Sequence, residues 1–247
     1  MKTVKDRIIQ YRGLAPQLIY LILFLLWIFK FPELLEWASP WLPERAKILS
    51  RTPLYVLAAQ HIIIAFVSTG LAIATALTLG ISVRLFQNKE LKSIILTASA
   101  IGETIPSAAI IALSVPILGY GNIPIILALY LYAILPIIRN VIVGFESTSP
   151  AIIDAGIGLG MSRLQLLWFV DLPMAKPIIM AGIRMALVIN ISAATIGATV
   201  GAGGFGVPII SGIRIYDPIM VIQGSIPVLL LALFSDRLLR ETHKTEA

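Results

Sequence analysis

Long apolar runs separated by short polar segments set the pattern of this chain. A membrane-spanning helix needs about 20 mostly apolar residues, and six stretches reach or approach that length. They run roughly from Leu14 to Phe29, within Leu54 to Val83, from Ser93 to Leu118, from Pro124 to Ile142, from Pro177 to Val200 and from Pro218 to Phe234. The second has no acidic or basic residue apart from His61, and the third carries Glu103. Only Gly119-Tyr120-Gly121-Asn122 separates the third from the fourth. Glycine and asparagine tolerate the left-handed backbone of a tight turn, so a short hairpin is expected there. The loop from Pro32 to Pro53 bears proline, tryptophan and glutamate and is long enough to lie along a membrane surface. No internal repeat of solenoid length stands out.

Composition strengthens this reading. Hydrophobic residues make up 58% of the 247 and charged residues 13%, against about 25% charged in a soluble domain. There is no cysteine, which excludes disulfides and thiolate metal sites. His61 and His243 are far apart, and no metal site is expected. The net charge of +6 suggests nucleic acid at first. Lysine and arginine gathered on the cytoplasmic side of a membrane protein explain it more simply, so no nucleic-acid partner is expected.

With six spans and both ends inside, one side collects most of the basic residues. These are Lys2, Lys5, Arg7 and Arg12, then Arg84, Lys89 and Lys92, then Arg163 and Lys176 with Arg139 and Arg184 at the flanks, then Arg237, Arg240 and Lys244. The other side has Arg45, Lys47, Arg51 and Arg214, offset by Glu33, Glu36, Glu44 and Asp217. The first span has a basic start and an apolar core, as a signal peptide has, but no A-x-A-like site follows. It is expected to stay as an anchor. The expected organisation is a cytoplasmic tail over 1–13, an anchor and external loop over 14–53, a transmembrane domain over 54–236, and a cytoplasmic tail over 237–247.

The segment between the fourth and fifth spans carries the clearest motif. Asp154-Ala155-Gly156-Ile157-Gly158-Leu159-Gly160 is followed, after nine residues, by Val170-Asp171-Leu172-Pro173. Ser147 to Pro150 break the preceding helix. Ala151 to Leu159 then form a short helix, and Gly160, with no Cβ, permits a sharp turn. Ser162 caps a second helix over Arg163 to Val170, which Pro173 ends. Small residues at Ala155, Gly156 and Gly160 let another surface come close. Alone, such a segment is also compatible with an ordinary amphipathic loop.

The spacing resembles the cytoplasmic coupling loop of bacterial ABC importer permeases, written E-A-A-x-x-x-G-x9-I-x-L-P. Asp154 takes the acidic place, Ala155 and Gly156 the small places, Gly160 the glycine, and Val170, Leu172 and Pro173 the close. Aspartate replaces glutamate and glycine the second alanine. Thr104-Ile105-Pro106-Ser107, Pro116 to Gly121, Leu135-Pro136-Ile137-Ile138-Arg139-Asn140, and Ala194-Thr195-Ile196 running to Gly201-Ala202-Gly203-Gly204-Phe205-Gly206 are similar to one subgroup. That subgroup takes up glycine betaine, choline, carnitine and related quaternary amines. The likeness spans roughly Gln60 to Arg237.

The resemblance implies an all-α integral membrane protein of about six transmembrane helices with the binding-protein-dependent, MetI-like permease fold. It implies residence in the bacterial cytoplasmic (inner) membrane. It implies four kinds of partner: a cytoplasmic ABC ATPase dimer, a second permease subunit, identical or homologous, an external or periplasmic solute-binding protein, and the lipid bilayer. No cofactor is expected on this chain, and ATP-Mg belongs to the partner ATPase. The expected coupling residues are Asp154, Ala155, Gly156, Gly160, Val170, Leu172 and Pro173.

Candidates for the translocation path are Glu103, Thr104, Pro106, Asn140, Asn190, Thr195, Gly201, Gly203 and Gly204. In a straight span Glu103 would lie about 15 Å deep at 1.5 Å per residue, where a charge must face a bundle interior or water. The resembled permeases commonly carry glutamine there. Glu103 either attracts a cationic solute, or pairs with Arg139 or Arg184, or is protonated. Gly201, Gly203 and Gly206 spell G-x-G-x-x-G, but no strand precedes them as a dinucleotide fold requires. A flexible loop near the outer mouth is expected instead, lining the path or letting backbones pack. His61 is expected as a hydrogen-bonded interfacial side chain, and Trp27, Trp37, Trp41 and Tyr55 as an outer aromatic belt.

No G-x-x-x-x-G-K-[ST] and no Gly-Lys pair occur, and no catalytic set is recognisable. The expected function is an ATP-driven permease working by alternating access. Rivals are a permease for an amino acid, ergothioneine or another small solute, an ion-coupled secondary transporter, which predicts inverted repeats, and a membrane scaffold.

Overall fold

In lipid every backbone N–H and C=O must be satisfied internally, and a helix does this within one segment. In a computed structural model, which describes residues 4–41 and 52–241, helices and turns account for the chain and no strand occurs among those residues. The α-helices are α1 (Val4–Ala38), α2 (Leu54–Phe86), α3 (Lys89–Thr104), α4 (Ser107–Leu118), α5 (Asn122–Glu146), α6 (Pro150–Gly158), α7 (Arg163–Leu166), α8 (Leu172–Ala193), α9 (Gly206–Ile215) and α10 (Pro218–Glu241). Among the described residues five segments are long and apolar enough to cross a membrane: Pro16–Ala38, Leu54–Phe86, Asn122–Glu146, Arg163–Val200 and Pro218–Arg240.

The third expected span is not straight. α3 and α4 meet at a bend of 87°. Pro106 has no N–H to continue the helix and pushes the residue before it toward extended backbone. Ile105 has φ −79 and ψ 122 accordingly. Glu103 therefore stands in the last turn of α3, and the depth counted along a straight helix does not apply. The hairpin after α4 is as tight as expected, with Gly119 at φ 77 and Gly121 at φ 112.

α5 is the hub. It is buried along most of its length, from Pro124 to Phe145, and packs on α2, α3, α4 and α8. Small residues let helices approach in a membrane. A Cβ on Gly182 of α8 would lie 2.8 Å from the Pro136 carbonyl oxygen and 2.7 Å from Asn140 Cβ, so only glycine fits against α5 there. A second layer joins α1 to α10 and α2 through Phe24, Ile28, Phe31, Leu35, Leu57, Phe205, Val228 and Leu231. Gln17 donates to the Arg237 carbonyl at 3.1 Å, which brings the first half of α1 against the last turns of α10. The opposite face of α1 presents Leu18, Ile19, Ile22, Leu26 and Phe29 outward, an apolar surface of the kind that lipid covers.

Several boundaries differ from the sequence expectation. α1 does not stop at Phe29 but continues through Pro32 to Ala38 and a 3-10 turn, Ser39–Trp41. Of the expected 32–53 loop, 32–41 are therefore described, as helix, Thr52 and Pro53 lead into α2, and 42–51 lie outside the described residues. The expected N-terminal tail is helical from Val4 onward. α8 starts at Leu172 and ends in a 3-10 segment, Ala194–Val200. α10 runs on to Glu241. α9 was not anticipated, because its ten residues are too few for a span.

Candidate functional site

The 147–173 segment folds into a compact knob at the end of the bundle where α2 and α5 finish. Pro150 opens α6 in the first turn, where its missing N–H costs nothing. Gly160 at φ 81 closes α6 with a Schellman motif. Gly160 N–H donates to the Ile157 carbonyl at 2.9 Å and Met161 N–H to the Gly156 carbonyl at 3.0 Å. Ser162 then starts α7 with a capping box. Its Oγ accepts from Gln165 N–H at 3.3 Å, and Gln165 Oε1 accepts from Ser162 N–H at 2.8 Å.

The expected motif residues divide between two tasks. Asp154, Ala155 and Gly160 are exposed. Beside them Ile157 and Leu159 are 58% and 84% exposed, a large apolar presentation for so short a segment. Gly156 points the other way. It is buried, and a Cβ there would lie 2.5 Å from Leu166 Cδ2. Its small size brings α6 and α7 together rather than opening the knob to another surface. Val170 and Leu172 are half-buried.

Pro173 does not end a helix. α7 passes through a π turn, Leu167–Asp171, directly into α8. The wider turn lies just before the proline, where its ring would press on the preceding turn and its missing N–H would break the ladder. Trp168 and Phe169 on this turn are 56% and 70% exposed.

The pattern did not reveal the pairing of Asp171. Asp171 is buried and takes a two-pronged contact from Arg84 at the end of α2, with Nε to Oδ2 at 2.7 Å and Nη2 to Oδ1 at 2.9 Å. Both atoms of the fork are used, as in strong arginine–carboxylate pairs. A lone acid inside the apolar Val170-Asp171-Leu172 run was the available signal. Arg163 Nη1 reaches the Leu85 carbonyl at 3.5 Å, a second, weaker tie from α7 to α2. Lys92 pairs with Glu146 nearby. These two pairs flank a cavity of about 230 Å³ lined by Arg84, Asn88, Lys92, Phe145 and Glu146.

Four of the path candidates form side-chain hydrogen bonds within the chain. Thr104 is exposed and donates to the Ile101 carbonyl at 2.8 Å. Pro106 caps α4. The side chain of Glu103 lies outside the described residues. Of the two arginines considered for it, Arg184 has Nε 3.3 Å from Asp236 Oδ1, and Arg139 is exposed. Asn140 donates to the Pro136 carbonyl at 2.7 Å. Asn190 is fully buried and donates to Thr69 Oγ1 at 2.9 Å. Thr195 bonds the Ser192 carbonyl at 2.8 Å.

The glycine loop is packed rather than loose. Gly201, Gly203 and Gly204 all have positive φ, Gly204 N–H donates to Gln60 Oε1 at 3.0 Å, and Gly206 is already helical. His61 lies beneath, 0% exposed, with Nε2 2.8 Å from the Ile191 carbonyl and its ring 5.1 Å from that of Phe205. It is a core side chain, not an interfacial one. Its partner is a carbonyl, so Nε2 carries the proton and Nδ1 is left as an acceptor with no protein partner. Trp37, Trp41 and Tyr55 are exposed as a belt would be. Trp27 instead turns inward, donating to the Gln223 carbonyl at 3.2 Å.

Comparison with known proteins agrees with this architecture. Residues 76–241 match the family described as binding-protein-dependent transport system inner membrane component. The carnitine transport permease protein OpuCB of Listeria monocytogenes is 38% identical over 174 residues, 70% of this chain and 79% of that protein. The glycine betaine/carnitine/choline transport system permease protein OpuCB of Bacillus subtilis is 36% identical over 75% of this chain and 84% of its own length. The osmoprotectant import permease protein OsmW of Salmonella typhimurium is 38% identical over 73% and 85% respectively. In fold, a structure of the MetNI methionine ABC transporter in inward facing conformations aligns with TM-score 0.68 at 22% identity, covering 78% of this chain and 99% of that one. Two-thirds of the chain, from the middle of α2 to the end of α10, thus carries the pattern of one family, and this protein belongs to the inner membrane components of binding-protein-dependent transport systems.

Proposed function

We propose that this chain is the permease subunit through which a quaternary ammonium osmoprotectant, such as carnitine, choline or glycine betaine, enters a bacterial cell. The observation that carries the substrate class is the 36–38% identity to relatives named for these solutes or for osmoprotectant import, over 70–75% of this chain. A separate cytoplasmic ATPase dimer supplies the energy and holds ATP-Mg. A second permease half, identical or homologous, completes the path, and an external solute-binding protein delivers the solute. Both termini face the cytoplasm. The Gln17 contact to Arg237 and the basic residues gathered at that side of the sequence support this orientation.

The knob is the ATPase dock. Asp154, Ala155, Ile157 and Leu159 present the surface, Gly160 shapes the turn, Gly156 packs α6 on α7, and Val170, Leu172 and Pro173 carry the knob into α8. ATP closes the ATPases, the knob moves with them, and the spans exchange inward and outward openings. A nucleotide drives this change only by binding the two states differently. Family membership leaves the ion-coupled alternative without support.

The test is reconstitution of the chain with its co-purified ATPase and binding protein in lipid vesicles. Labelled choline, glycine betaine, carnitine and methionine are offered separately. ATP-dependent uptake of at least one quaternary amine, and none of methionine, is expected. Uptake of methionine alone would replace the substrate reading. Glu103→Gln should lower uptake of cationic choline more than that of zwitterionic betaine if Glu103 attracts positive charge, and equal effects would remove that role.

A further inference from the structure

The Arg84–Asp171 pair is more than a tether at the end of a helix. Asp171 is the last residue of the π turn between the knob and α8, and its carboxylate is 3% exposed. Arg84 comes from the last turn of α2, and the carbonyl of the next residue, Leu85, is reached by Arg163 of α7 at 3.5 Å. α2, 33 residues long, extends from there to the opposite end of the bundle. There Gln60 and His61 bind the Gly204 N–H and the Ile191 carbonyl. One helix thus joins the knob to the glycine loop, and the two-pronged pair is its charged connection to the knob.

A π turn is a common place for a helix to flex. If α7 moves with the knob while α8 stays packed on α5, the strain falls on 167–171. A fixed link at Asp171 would pass that movement sideways to α2.

We propose that Arg84 and Asp171 are positioning residues that transmit knob movement into α2, so that ATP hydrolysis is coupled to reopening at the glycine-loop end. This rests on the reading of the knob as the ATPase dock. A removed partner leaves a buried charge unpaired, so loss of activity alone would not separate coupling from folding. The measured quantity is therefore solute transported per ATP hydrolysed by the whole complex in vesicles.

Asp171→Asn should leave the ATPase bound and its hydrolysis within about twofold of wild type, while transport per ATP falls at least tenfold. The chain contains no cysteine, so Arg84→Cys/Asp171→Cys can be joined cleanly by a short bifunctional thiol reagent. Cross-linking should restore transport per ATP to within about threefold of wild type, and reduction of a cleavable linker should abolish it again. Unchanged transport per ATP in Asp171→Asn would overturn the proposal. So would a cross-link that blocks transport, since the pair would then have to open in the cycle. Leu159→Asp separates the two readings. If it fails to release the ATPase, the dock is wrong; if it releases the ATPase while Asp171→Asn stays coupled, only the link is wrong.

Discussion

Two glycine-bearing segments, 154–160 and 201–206, look alike in sequence and are built for opposite ends. In the knob, Gly160 turns the chain in open space, with nothing within 4 Å of where its Cβ would be, and Leu159 beside it is 84% exposed. In the loop, Phe205 is fully buried, Gly204 is packed on His61, and a Cβ on Gly206 would run into the Thr195 backbone. The first segment leaves Ile157 and Leu159 uncovered by the rest of the chain. The second has used its contacts within the chain. Glycine content does not distinguish the two cases; what surrounds each missing Cβ does.

Gly206→Val should break the loop most severely. The nearest atoms are backbone, which cannot step aside as a flexible side chain would. Overpacking costs about 1–3 kcal/mol in ordinary cores and more where backbone must move. The expected outcome is loss of the monodisperse peak in detergent and little protein in the membrane. Near-normal yield with an unchanged melting temperature would mean that α9 does not seat against the 194–200 segment as described.

Much of the fold was legible because lipid imposes one requirement, an apolar run long enough to span, and the chain meets it repeatedly. The knob was legible for a different reason. Its turn chemistry is local: Gly160, Ser162 and Gln165 fix their own neighbourhood whatever lies around them. Four features were not legible. The bend at Pro106 lies inside a stretch whose hydropathy stays high despite Glu103 and Thr104, and hydropathy does not register a proline there. The π turn depends on how α7 meets α8, so Pro173 was read as a stop. The burial of His61 depends on Phe205 and Ile191, more than a hundred residues away in sequence. The direction in which Gly156 points also needed Leu166 in place. Tertiary neighbours, not local propensity, decide all of these.

A change of intermediate size probes the support beneath the loop. His61→Ala removes a fully buried ring and leaves the Ile191 carbonyl without its donor. The lost hydrogen bond costs about 1–3 kcal/mol when the partner stays buried, and the emptied volume adds to it. A clear fall in melting temperature in detergent is expected, together with faster proteolysis near Gly203. His61→Gln should recover part of the loss if its amide donates to the same carbonyl. Equal loss in both variants would assign the role to ring packing against Phe205 alone.

The smallest effect on stability should come from Leu159→Asp. The side chain is almost wholly in solvent, and surface changes usually stay within about 0.5 kcal/mol. Melting temperature and membrane yield should match wild type. Binding of the ATPase should not, because an apolar side chain this exposed at the C-cap of a nine-residue helix contributes little to the chain's own packing. A charge in the docked interface would be buried unpaired. Retained stability with lost ATPase would place Leu159 in the interface and complete the contrast with Gly206, where stability fails first. Retained stability with retained ATPase would overturn the reading of the knob as the dock.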